Sequence, residues 1–223
     1  MKQLLLIILF CAVGMLPSFS NPHTGALLAS EDKAVYIATK FNINSQAVEM
    51  ALAGYEKLKQ LGRLANVRYL SIADFSKPSS EERLFIIDMQ LMEVVLKTWV
   101  AHGRNSGTKF AKNFSNKVSS YQSSLGFYVT GNPYKGKHGT SLELDGMEQG
   151  INDKAKQRAI VIHGADYVSP SFIQQQGYIG RSQGCPAVPN NKVATIIKAI
   201  QGASCLFVYA PNAQYLKQSE FIR

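Results

Sequence analysis

From Val67 onward the apolar residues come in short runs separated by clusters of Ser, Pro, Gly, Asn and Asp. That rhythm suits strands and turns, and it is too short for packed helices. Val67 to Ala73, Leu84 to Asp88 and Val94 to Ala101 predict strands, with Lys77-Pro78-Ser79-Ser80 as one of the turns between them. Residues 103–126, rich in Gly, Ser, Asn and Lys, predict a long loop region. Phe127-Tyr128-Val129-Thr130 and Thr140 to Leu144 read as further strands, the second ended by the turn pair Asp145-Gly146. Ala159-Ile160-Val161-Ile162 reads as a buried strand with His163-Gly164 at its end, and Cys205 to Tyr209 as a last strand. Lys192 to Ile200 differs: Val193, Ile196, Ile197 and Ile200 fall on one helical face, and Gly202 follows as a stop. Strand and helix do not alternate, which points to a mainly β fold of the α+β kind.

The start of the chain obeys other rules. Residues 1–20 carry a short positive start, an apolar stretch from Leu4 to Leu16, Pro17, and small residues at Ser18 and Ser20. This is the pattern of a secretory signal peptide cut after Ser20. The expected product is exported to the periplasm or cell wall and is not stably inserted in the membrane. Residues 21–65 form a helical segment: Glu31 and Asp32 suit the first turn of one helix, and a second follows Asn44-Ser45. In the second, Val48, Ala51, Leu52, Tyr55 and Leu58 keep the 3.6-residue period, with Gly62 as stop. The main domain spans 66–212, and 213–223 is a tail.

The 223 residues carry 24 Lys and Arg against 15 Asp and Glu, a net charge of +9. In an exported protein such a surface meets a polyanionic wall or carboxylate-bearing substrates, and no nucleic acid partner is expected. Three cysteines are too few for a disulfide-stapled scaffold.

Several motifs match in letters and fail in context. Gly180-Arg181-Ser182-Gln183-Gly184 has the form of a nucleophile elbow, which needs a histidine after the serine, yet His23, His102, His138 and His163 all precede Ser182. Gly131 to Lys137 imitates a phosphate-binding loop, but His138 stands where Ser or Thr would hold magnesium, and no helix follows. Ser106-Gly107-Thr108-Lys109 with Lys137-His138-Gly139 hints at a penicillin-binding serine enzyme, without the intervening S-x-N element. Nor is there a metal-ligand spacing such as H-E-x-x-H or C-x-x-C, and no metal or organic cofactor is implied.

What remains is Cys185 with His163. The thiol lies in Ser182-Gln183-Gly184-Cys185-Pro186, beside Arg181, which is a polar and basic setting unlike that of a core cysteine. A cysteine nucleophile needs a nearby base and positive field because the thiolate is the reactive form. Two structural readings compete: His163 as a packed histidine, and Cys185 disulfide-bonded to Cys205 in a wall-binding protein without turnover.

His163-Gly164 followed by Ser182-Gln183-Gly184-Cys185 resembles the signature of the L,D-transpeptidase (YkuD-like) catalytic domain family. Val100 to Gly107, Ser123 to Tyr128 and Arg158 to Ala165 extend the resemblance over roughly residues 66–212. It implies a β-sandwich-like catalytic fold acting on peptidoglycan stem peptides. Cys185 would attack the diaminopimelate–D-alanine bond with His163 as base. Gly184 and Cys185 N–H groups would face the oxyanion, and Gly164 would orient the imidazole. His138, Arg181 and Ser182 are the expected substrate contacts. Most members carry Arg or Asn two residues after the cysteine, where this chain has Ala187; Arg181 is the expected substitute.

Overall fold

The computed structural model describes residues 30–222; the signal-peptide pattern and His23 lie outside the described residues. Two helices lead in, α1 (Ser30–Phe41) and α2 (Ser45–Gln60). Asn44 caps α2, its side chain accepting from the Ala47 N–H at 3.0 Å. The expected apolar face of α2 is buried, and it packs on β1 (Tyr69–Asp74) and β8 (Cys205–Tyr209). Gly54 sits on that face because a Cβ there would lie 2.1 Å from the Phe127 ring.

The remaining strands are β2 (Leu84–Asp88), β3 (Glu93–Thr98), β4 (Gly126–Gly136), β5 (Gly139–Gly146), β6 (Val161–Gly164) and β7 (Ala187–Val188). Together they form an eight-stranded sheet in the order β3-β2-β1-β8-β4-β5-β6-β7. Its two ends meet. Ala101, just past β3, forms an antiparallel bridge to Ala187 in β7, with the Ala101 N–H 2.8 Å from the Ala187 carbonyl. The sheet therefore curls on itself in a barrel-like way, and its edges are satisfied by each other. The helices α3 (Pro170–Gln176), α4 (Asn190–Ile200) and α5 (Ala213–Gln218) complete the chain. This is the mainly β, α+β architecture expected from the strand rhythm.

Three expectations change. Gly131 to Gly136 is strand, continuing β4 into a long hairpin with β5, and Lys137-His138 is the turn. Asp145-Gly146 ends no strand early, since β5 runs through both and pairs Gly146 with Tyr128. The C-terminal tail carries α5, whose Tyr215 is buried and donates to Glu148 at 3.2 Å. Ser219 bonds the same carboxylate. Glu148 also accepts the Phe127 N–H at 2.7 Å, so this buried acid ties the C-terminal segment to β4.

Candidate active site

β6 delivers His163 into the sheet between β5 and β7, paired with Ser141 on one side and Ala187 on the other. Its backbone is therefore held from both sides. The ring Nδ1 lies 2.9 Å from the Gly164 carbonyl. A carbonyl only accepts, so Nδ1 carries the proton and Nε2 keeps its lone pair. Burial lowers the tendency of the ring to protonate, the Gly164 bond raises it, and the charges of His138 and Lys137 lower it again, with a net shift below the ordinary histidine value. Gly164 has a steric reason too: a Cβ there would lie 2.3 Å from Asn190 Oδ1 at the start of α4.

Cys185 is half-buried and lines the same cleft as His163, a space of ≈ 550 Å³. Its Sγ lies 3.6 Å from the Ala159 carbonyl. Burial pushes the thiol up, while the Val161 N–H and the charges of Arg158 and Lys137 draw it back. Cys185 and Cys205 are both free. Cys205 is paired with Leu70 and Val129 in the middle of the sheet, which overturns the alternative of a Cys185–Cys205 disulfide.

The loop before the cysteine is held from within. Ser182 Oγ donates to the Cys185 carbonyl at 2.6 Å and accepts the Gly184 N–H at 3.0 Å. The hydroxyl expected to touch substrate is thus spent on the loop, and the Gly184 N–H expected at the oxyanion is spent on that hydroxyl. Gly184 has φ +123°, and a Cβ on it would meet the Gln122 carbonyl at 2.8 Å and Arg158 Nη2 at 3.1 Å, so only glycine fits. The loop is also sewn to the far edge of the sheet: Ser182 N–H donates to the His102 carbonyl at 2.9 Å, and Arg104 N–H to the Ser182 carbonyl at 2.7 Å.

His138, at the turn between β4 and β5, stacks on the His163 ring at 4.4 Å. Arg181 lines the cleft but donates to the Arg104 and Gly107 carbonyls at 3.4 and 3.2 Å. His102 is separate from the cleft chemistry. It is fully buried, with Arg83 Nη2 2.7 Å from its Nδ1. Ser106 is also buried, its Oγ accepting the Ser123 N–H at 2.9 Å, so the S-x-x-K match is a loop staple. Tyr128 is core, as its sequence position suggests, whereas Tyr167 reaches the cleft. Arg104, Lys137 and Arg158 are cleft cations to which residue-by-residue reading gave no site role; a basic residue just ahead of an apolar run, as Arg158 is, carries little signal of its own.

The family model of the L,D-transpeptidase catalytic domain matches residues 39–209. The chain belongs to that family. Among solved structures it is similar to an L,D-transpeptidase from Mycobacterium smegmatis, at 13% identity and TM-score 0.39 over 64% of this chain and 59% of that one. It is also similar to the helical cell shape determining protein of Campylobacter jejuni, at 14% identity and TM-score 0.41 over 72% of this chain and 56% of that one. An L,D-transpeptidase from Xylanimonas cellulosilytica matches at 14% identity and TM-score 0.36, over 74% of this chain and 80% of that one. The chain thus spans under two thirds of the first two of these relatives. No curated protein sequence matches it. Among the described residues, no helix is long and apolar enough to cross a membrane.

Proposed function

We propose that the protein is an exported cysteine acyltransferase acting on peptidoglycan stem peptides. The observation that carries this is the pairing of a free, half-buried Cys185 with a His163 whose Nε2 is left unprotonated, in one cleft of an L,D-transpeptidase domain.

The His163 Nε2 takes the thiol proton as Cys185 Sγ attacks the carbonyl of the diaminopimelate L-centre. Collapse of the tetrahedral adduct breaks the bond to D-alanine, and the imidazolium returns its proton to the leaving amine. The Cys185 N–H is the backbone donor of the loop assigned to the oxyanion, a contribution of about 3 kcal/mol by analogy with other such donors. An amine from a second stem, or water, then attacks the thioester and gives its proton to His163. The thiolate leaves and is reprotonated. The amine yields a 3→3 cross-link and water a trimmed tripeptide. His138 and Arg181, at the cleft wall, contact the stem's carboxylates, and the net charge of +9 favours encounter with an acidic polymer.

The test is incubation of the protein with disaccharide-tetrapeptide beside Cys185→Ala and His163→Ala, with products read by mass spectrometry. Release of D-alanine by the wild type alone is the expected result, and dimer or tripeptide then separates transferase from carboxypeptidase. Release that survives Cys185→Ala would remove the cysteine from the mechanism. Absence of release by any of the three would favour wall binding without turnover.

A further inference from the structure

An arginine two residues after the cysteine, one of the two residues usual in the family, cannot be accommodated in this chain. Ala187 lies in β7, fully buried, paired with His163 and bridged to Ala101. Its side chain packs with Ala101, Ala165, Val168 and Ile179, where a guanidinium would lose its water without a partner. Arg181, the substitute suggested by sequence, turns Nη1 to the Arg104 and Gly107 carbonyls.

Arg158 is placed differently. It lines the cleft with Cys185, and its neighbour Ala159 holds the carbonyl that Sγ approaches. Nη1 donates to the Ser115 carbonyl at 2.9 Å and to Ser124 Oγ; Ser124 Oγ in turn donates to the same carbonyl at 2.8 Å. Nη2 donates to the Gln122 carbonyl and, at 3.3 Å, to Ser120 Oγ. Four acceptors therefore fix the planar fork, which a lysine could not satisfy in the same way. The segment it grips is the wall behind the nucleophile loop. The Gln122 carbonyl and Nη2 are the atoms that crowd Gly184, and Ser123 Oγ joins the Gly103 N–H at 3.0 Å to the Gly184 carbonyl at 3.4 Å.

We propose that Arg158 is a positioning residue for the reaction: it clamps residues 115–124 against Gly184 and presents the positive charge that faces the Cys185 thiolate. The inference rests on the cysteine mechanism above, and it takes over the role that sequence assigned to Arg181. In support, burial pushes the Cys185 thiol up and Arg158 is among the groups that oppose this. Burial draws the Arg158 guanidinium below its ordinary value, and the charges of Tyr128 and Cys185 oppose this.

The test reads the thiol directly, with D-alanine release from disaccharide-tetrapeptide as a second readout. The rate of alkylation of Cys185 by iodoacetamide is followed against pH by mass spectrometry of its peptide, in wild type, Arg158→Gln, Arg158→Lys, Ser124→Ala and Arg181→Gln. Arg158→Gln is expected to move the profile to higher pH and to slow alkylation near neutrality about tenfold, since one unit in thiol titration is tenfold in thiolate. Arg158→Lys keeps the charge and is expected to restore most of that rate, while D-alanine release stays low because the fork is lost. Ser124→Ala removes one anchor and is expected to shift the profile in the same direction by less, which serves if Arg158→Gln does not fold. An unchanged profile in folded Arg158→Gln, or in Ser124→Ala should the first variant not fold, would overturn the proposal, as would a shift produced by Arg181→Gln instead. A profile that depends on Arg158 in a protein that releases no D-alanine would sink the substrate reading and leave this one standing.

Discussion

The imidazole of His138 lies over that of His163 with ring centroids 4.4 Å apart and 22° between planes. One ring comes from a hairpin turn and the other from an interior strand, so the contact links the exposed turn to the base. Two imidazoles so close resist being charged together, and His138 adds to the burial that holds His163 below its ordinary value. In the proposed mechanism the base works in its neutral form, so this arrangement would carry activity further into mild acid. In His138→Ala the acid limb of the pH–rate profile is expected to move up toward the ordinary histidine range. A limb that stays in place would mean that the stack has no electrostatic role, and one that moves down would mean that it favours the charged base instead.

The two described cysteines differ in environment by more than their exposure. Cys185 opens on the cleft, whereas Cys205 is enclosed by β1 and β4, and burial pushes its thiol far up. Folded protein is expected to take one alkyl group at Cys185 and to take one at Cys205 only after denaturation. Mass spectrometry of the two peptides, before and after guanidinium, checks this. Two unreactive thiols that label only after reduction would restore the disulfide reading.

Gly54 gives the docking of the helical segment a sharp test. A methyl group at this position would lie 2.1–2.6 Å from three atoms of the Phe127 ring, which is itself stacked on Phe207 at 4.3 Å. The ring has no free side to yield to. Gly54→Ala is expected to lose about 1–3 kcal/mol of stability despite the better helix propensity of alanine. A urea titration reads the difference, and a neutral or stabilising result would show that α2 does not sit this closely on the sheet.

How far the sequence led depends on the kind of signal each residue carries. Leu84 to Asp88 and Cys205 to Tyr209 are strands with the expected ends, because apolar runs bounded by polar residues bury on both faces. The letters of Gly131 to Lys137 imitate a phosphate-binding loop, but Gly131 to Gly136 is one arm of the β4–β5 hairpin. Gly, Pro and Lys are poor strand formers in general, yet here the pairing partner β5 holds them extended on an exposed ribbon. The short helix α3 went unseen because none of its side chains is buried, so no apolar period marks it. At the site, the sequence marks Cys185 and His163 as the proposed nucleophile and base, and the fold brings both to one cleft. Arg158 carries no such mark, because its meaning lies in four acceptors spread over residues 115–124, and no local pattern encodes a contact across that distance. Ser182 and the Gly184 N–H were given outward roles, whereas their own short loop uses them.

Of the three His-Gly pairs, those at 102 and 163 are alike in sequence and opposite in chemistry. Arg83 Nη2 donates to His102 Nδ1 at 2.7 Å, so that nitrogen is unprotonated and the proton sits on Nε2, 3.3 Å from the Gly107 carbonyl. At His163 the proton is on Nδ1. Burial first, and then the Arg83 charge, push His102 down to about 3 from its ordinary value of 6.5. Between those two values the unfolded chain binds a proton that the native chain does not. Stability therefore rises with pH through that window by roughly 1.4 kcal/mol per unit, is complete above the ordinary histidine value, and is lost as pH falls. Other groups titrate in the same range, so the difference between wild type and His102→Gln is the quantity to measure. Glutamine keeps an acceptor for Arg83 and takes no proton. Urea unfolding at several pH values from about 4 to 7 is expected to show wild type losing stability faster than the variant as the solution is acidified. A constant difference between the two would mean that His102 takes up its proton in the native protein as it does in the unfolded chain, and that Arg83 does not hold its tautomer.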